Sequence, residues 1–160
     1  MSDESTDERH WEAVEEAAEL IAQGQYPAAL EQLRGVVRAD PLNPYAYHHI
    51  GVALSHLEQL EPARDAYRAA VRLAPDFLGA RVGLSDALRL LGHQRGALTQ
   101  AKEALRRFPD SVEAQAAVRL AAPADDDEEG LAAMLDDPPE QAAEPDWAAL
   151  RALTGKPEND

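Results

Sequence analysis

The residues with the most chemical potential in this chain are its histidines, and three of the five lie in one short run: His48, His49 and His56. On a helix, His49 and His56 share a face but stand about 10 Å apart along the axis, because each residue rises 1.5 Å. Two side chains that far apart do not close on one metal ion, and His48 and His49, being adjacent, diverge. The run is therefore read as polar contact surface whose protonation would make binding pH-sensitive. Scattered Asp and Glu residues belong to solvated helix faces. The sequence has no G-x-S-x-G, no glycine-rich phosphate loop and no H-E-x-x-H, so catalysis is not expected and no cofactor is implied. Cysteine is absent, which removes disulfides and thiolate metal sites.

Tyr45, His48, Val52 and Ser55 follow an i, i+3, i+7, i+10 spacing and share one face of a helix. Ile50, Ala53, Leu54 and Leu57 occupy the opposite face and are expected to be core. A helix that is apolar on both sides packs its own domain with one face and something else with the other.

The element carrying these residues is Pro44–Phe77, two amphipathic helices joined by a break at Glu58–Glu61. The first carries Tyr47, Ile50, Gly51 and Leu54. The second carries Ala63, Tyr67 and Ala70, and Pro75 ends it. The pattern repeats. Pro41, Pro75 and Pro109 are 34 residues apart, as are Ala29, Ala63 and Ala97, and Val36, Ala70 and Ala104. These residues resemble the tetratricopeptide repeat, a 34-residue helix–turn–helix unit. The resemblance divides the chain into units at 10–43, 44–77 and 78–111. Residues 112–122 form a helix that caps the stack. Gly24 and Gly92 fill the turns of the first and third units, and Glu58 stands in the same place in the second.

Other segments complete the frame. Residues 1–9 form a polar acidic lead in which Ser5-x-x-Glu8 is placed to cap a first helix running from about His10 to Gln23. In that helix Ala13, Ala17 and Leu20 are expected to face the core. Residues 123–160 form a flexible acidic tail interrupted by the apolar island Leu131–Leu135 and a short helix near 146–154 bearing Trp147, Leu150 and Leu153.

The expected fold is all-α, a right-handed solenoid of three helical hairpins. The resemblance implies a concave groove lined by the first helices. It assigns to that groove Trp11 and Val14 from the first unit, Tyr45, His48, His49, Val52, Ser55 and His56 from the second, and Val82, Asp86 and Arg89 from the third. Arg89 is the one cation among them, so the groove lacks the Lys/Asn/Arg pattern with which chaperone-binding members clamp a terminal carboxylate. An extended or helical protein segment with apolar anchors is the implied partner. Arg34 and Arg38, Arg68 and Arg72, and Lys102 and Arg106 recur at two positions of each second helix, a basic stripe expected on the convex side. It is read as a solvated ion-paired face or a dock for an acidic segment, of which the chain's own tail is one. The Trp147–Leu153 helix is expected to dock in a groove of its own or a neighbouring molecule, the latter making a self-assembling scaffold. A small secretion-type chaperone is a further reading.

Charge and hydropathy bound the rest. The net charge is −15, and residues 121–160 hold 12 acidic and 2 basic residues. Such a chain is expected to avoid nucleic acid and anionic membranes. It begins with no signal-like segment and has no membrane span, which fits a cytoplasmic protein.

Overall fold

The computed structural model describes residues 2–124 and 145–153, and all regular structure among them is helical. The elements are α1 Ser2–Glu12, α2 Glu15–Ala22, α3 Tyr26–Ala39, α4 Pro44–His56, α5 Leu60–Leu73, α6 Leu78–Leu90, α7 Gln94–Arg107, α8 Val112–Ala121 and α9 Trp147–Leu153. The island Leu131–Leu135, most of the acidic linker and residues 154–160 lie outside the described residues.

The helices pair as antiparallel hairpins, α2 with α3, α4 with α5 and α6 with α7. Each first helix also touches the next one, α2 with α4, α4 with α6 and α6 with α8. Contacts of that extent between successive second helices are absent among the described elements. The layer of first helices is thus the more closely spaced, and it forms the inside of the curve.

Small residues permit this approach. Ala29, Ala63 and Ala97 are fully buried at the hairpin crossings. Tyr67 of α5 inserts its ring between α4 and α6, where a Cβ on Gly51 or Gly83 would lie 2.8 or 2.4 Å from a ring carbon. Its hydroxyl bonds to Ser55. The turns match too. Gly24 and Gly92 have φ of 73° and 85°, and Glu58 adopts the same left-handed conformation at 60°. A side chain there is strained by roughly 1–2 kcal/mol.

The third unit replaces an aromatic with Arg81, which is only 8% exposed. Its guanidinium donates to Gln100 Oε1 at 2.8 Å and to the Pro75 carbonyl at 2.9 Å.

The N-terminal region departs from expectation. The acidic lead is helical from Ser2, so Ser5 and Glu8 lie inside α1 and cap nothing. The helix expected over His10–Gln23 is broken at Ala13–Val14. In a continuous helix the Val14 N–H would bond the His10 carbonyl. It bonds the Trp11 carbonyl instead, at 3.0 Å. The His10 carbonyl is taken by the side-chain amide of Asn43, at 2.9 Å. A side chain inserted into the helical ladder is a recognised cause of a kink. The break moves Ala13 to an exposed position and buries Val14 completely. Leu57, expected as core, is half-buried.

α8 packs on α7 and α6. α9 lies against α5, with Leu150 only 2% exposed and the Trp147 ring set edge-on to Tyr47 at 6.2 Å. Within this molecule the tail helix is therefore seated on a second helix and not in the groove of first helices. Its apolar face meets the apolar side of α5, whereas α1 already occupies part of the groove. No helix among the described residues is long and apolar enough to cross a membrane.

Candidate functional site

The inner face of α4 gathers an aromatic and imidazole shelf. Tyr45 is its centre. Trp11 of α1 packs edge-on to Tyr45 at 5.4 Å and tilts over His49 at 6.3 Å. Phe77, just ahead of α6, packs edge-on to Tyr45 at 5.2 Å and lies 4.7 Å from His48. The Tyr45 hydroxyl donates to Asp7 Oδ1 at 2.7 Å. Burial, then that carboxylate, push the Tyr45 phenol up to about 12.

Helix geometry sets the shelf. Pro44 occupies the first turn of α4, where its missing N–H costs nothing. Asn43 caps the helix, accepting from Tyr45 N and Ala46 N. Tyr45 then lies one turn ahead of His48 and His49. His49 Nδ1 donates to the Tyr45 carbonyl at 2.7 Å, which fixes that ring. His48 is held down to about 4 by burial and by His49 beside it. Burial also lowers His49. Both imidazoles are thus neutral at neutral pH, and the shelf is apolar in character.

Val52, Val82 and Ser55 continue this face, half-buried, with Ser55 engaged by Tyr67. At the far end Asp86 and Arg89 pair with each other at 3.5 Å. His56 stands apart, stacked on Tyr26 at 4.5 Å. Val14 belongs to the core and leaves the site, because the break at residues 13–14 rotates it inward. Trp11 stays in it, 47% exposed. Among the described residues no group of three His, Asp or Glu side chains is placed to hold a metal.

Phe77 and Asp7 were not found from the sequence. The signal for Phe77 was present: it is 34 residues from both Asn43 and Ser111. Those two residues cap α4 and α8 with their side chains, but Phe77 leaves α6 without a side-chain cap. A capping position given to an aromatic residue forgoes about 1 kcal/mol.

The basic positions are distributed over ion pairs. Arg34 bonds Glu31 at 3.0 Å, Arg68 bonds Asp65 at 3.3 Å and Arg106 bonds Glu103 at 2.6 Å. Arg38 and Arg72 are exposed and engaged, and Lys102 is exposed on α7. Leu150 and Trp147 are buried and half-buried against the core, while the Leu153 side chain lies outside the described atoms.

Comparison with known proteins agrees with the fold. A tetratricopeptide repeat model matches residues 44–77. The human Superkiller complex protein 3 is 35% identical over 81 residues, which is 51% of this chain and 5% of that protein. Tetratricopeptide repeat protein 37 of Xenopus laevis is 39% identical over 70 residues, covering 44% of this chain and 4% of that protein. The chain thus spans about a twentieth of the length of these relatives. Among solved structures, the first TPR of Spaghetti (RPAP3) bound to the HSP90 peptide SRMEEVD superposes with a TM-score of 0.66 at 22% identity. That match covers 72% of this chain and 91% of the other. The TPR2B domain of yeast Sti1, in its complex with pHsp70, gives 0.64 at 19% identity over 70% and 92% of the two chains. The central unit thus matches the tetratricopeptide repeat in sequence, and the fold of the chain is that of tetratricopeptide-repeat domains.

Proposed function

We propose that the protein is a non-enzymatic adaptor, acting in the cytoplasm, that holds a peptide or helical segment of a partner on the shelf of Trp11, Tyr45, His48, His49 and Phe77. One observation carries the reading. Phe77 stands where the neighbouring units place a helix cap, and its ring lies instead against Tyr45 and His48 on the inner face. Local rules tend to be broken where function needs the residue. Half-buried aromatic rings beside a 47%-exposed tryptophan have the make-up of an anchoring surface.

The Spaghetti and Sti1 domains are seen with chaperone peptides, which supports a peptide in this groove too. The ligand chemistry differs. Among the groove residues named above, Arg89 is the one cation, and it is paired with Asp86. A partner segment with large apolar anchors fits the shelf better than one ending in a clamped carboxylate.

The test is quantitative capture by the full chain and by a Tyr45→Glu/Val52→Glu variant with unchanged helical content. The variant should lose the partner set recovered by the wild type. Equal recovery by both proteins would exclude the inner face as the binding site.

A further inference from the structure

The first and third units share a recess between the start of the first helix and the second helix, at equivalent repeat positions. In the first unit it is about 490 Å³ and is lined by Ala13, Gln32, Gly35 and Ala39, with α1 along one edge. In the third it is about 550 Å³ and is lined by the residues two periods later, Arg81, Gln100, Glu103 and Arg107. The corresponding residues of the second unit are Tyr47, Ala66, Ala69 and Leu73. There α9 lies on α5 and Trp147 meets Tyr47, and Ala66 and Ala69 are fully buried. The recess therefore accepts polypeptide, and in the second unit an apolar lining takes an apolar helix.

The third recess has a different lining. Lys102 and Arg106 join Arg81 and Arg107 around it. Glu103 is shared by Arg106 and Arg107, and Asp76 also meets Arg107. Four cations thus face two carboxylates. Arg81 is more than nine-tenths buried, and its Nε has no hydrogen-bond partner among the described residues. Burial and the nearby Arg107 both weigh against its charge. A buried guanidinium with an unused donor, short of counter-charge, is stabilised by a further anion. Spacing selects its form. Lys102 and Arg106 are one helical turn apart, about 6 Å. Carboxylates on alternate residues of an extended chain repeat at about 6.6 Å on one side.

We propose that the recess of the third unit binds an extended acidic segment of a partner protein, with carboxylates at alternate positions meeting Lys102, Arg106 and the buried Arg81. The site is separate from the aromatic shelf, so the two are lost independently.

The test uses the full chain and a fluorescein-labelled peptide of alternating Glu and Ser, read by anisotropy at low ionic strength. The peptide should bind, and added salt should weaken it. A Lys102→Ala/Arg106→Ala variant, altered only at exposed positions, should bind about fivefold or more weakly. An Arg38→Ala/Arg72→Ala variant, changed at the same repeat position of the other units, should bind like wild type. The Tyr45→Glu/Val52→Glu variant should also bind normally, which separates this proposal from that of the shelf. Equal binding of a Gln-for-Glu peptide, or no loss in the Lys102/Arg106 variant, would overturn it. Binding of inorganic phosphate without binding of the peptide would overturn it as well.

Discussion

Asn43 donates its side-chain amide to the backbone carbonyl of His10 at 2.9 Å while its Oδ1 caps α4. One fully buried side chain thereby ends α1, starts α4 and fixes the angle at which α1 crosses the inner face. The Trp11 and Asp7 contacts to Tyr45 depend on that angle. Asn43→Ala removes the cap and leaves the His10 carbonyl without its donor. The expected loss is about 2–4 kcal/mol, from a cap near 1 and a buried unsatisfied group of 1–3. Asn43→Ser keeps the cap but cannot reach His10 and should fall between. Urea denaturation of the three proteins measures this, and a loss below about 0.5 kcal/mol in Asn43→Ala would contradict the dual role.

Glu58 adopts the backbone conformation that Gly24 and Gly92 adopt in the other turns. Glu58→Gly should therefore stabilise the fold. The gain is about 1 kcal/mol, the left-handed strain of 1–2 reduced by the greater entropy of glycine in the unfolded chain. Thermal unfolding should shift upward. A downward shift would show that the Glu58 side chain contributes more than its backbone strain costs.

Tyr67 meets the next unit at Gly83, where even a methyl group would sit 2.4 Å from a ring carbon. Gly83→Ala should cost about 1–3 kcal/mol through forced displacement of the ring. Tyr67→Leu in the same background should recover part of that loss by vacating the space. A double-mutant cycle measures the coupling, and additive effects would mean that the ring yields freely.

The regular part of this molecule was legible because it is written three times. Proline, alanine and small-residue positions at a 34-residue period mark the hairpins α4 with α5 and α6 with α7, and the helix expected over 112–122 is α8, Val112–Ala121. Glu58 was legible as the odd residue in its turn, though not its left-handed φ. What failed were tertiary substitutions for local rules. Nothing near Val14 announces a break, since no Gly or Pro is there and the cause lies about thirty residues away at Asn43. Phe77 was missed because an aromatic at a capping position carries no helix signal. The seat of α9 on α5 was not foreseen because the sequence shows an apolar helix without saying which face it covers.

Acid should weaken the fold through His48. Its folded value of about 4 lies below the ordinary 6.5, so the unfolded chain binds more protons between those two values. Stability is then full above pH 6.5 and falls as the pH drops toward 4. The contribution is at most about 3 kcal/mol. Tyr67, Phe77 and His49 surround the ring, and none of them supplies a negative charge at these pH values. His48→Gln should flatten the difference in stability between pH 7 and pH 4.5 relative to wild type. Parallel pH profiles for the two proteins would place the acid sensitivity elsewhere.

The docking of α9 is separable from the repeats, because it rests on α5 through Trp147 and Leu150 at the far side of a long intervening segment. Leu150 is 2% exposed, so a charge there is buried without a partner unless the helix leaves. Leu150→Asp should release α9 and leave the hairpins folded. In a Trp11→Phe background the remaining tryptophan reports α9 alone, and its emission should shift to the red while helicity changes by no more than the seven residues of α9. Exposure of Tyr47 and α5 should follow, so the variant should also gain faster proteolysis near residues 145–153. Mass in solution distinguishes two outcomes. A monomer before and after the substitution is expected if α9 covers its own chain. A wild-type dimer that dissociates in Leu150→Asp would show instead that the helix is exchanged between two copies across the same contact with Tyr47.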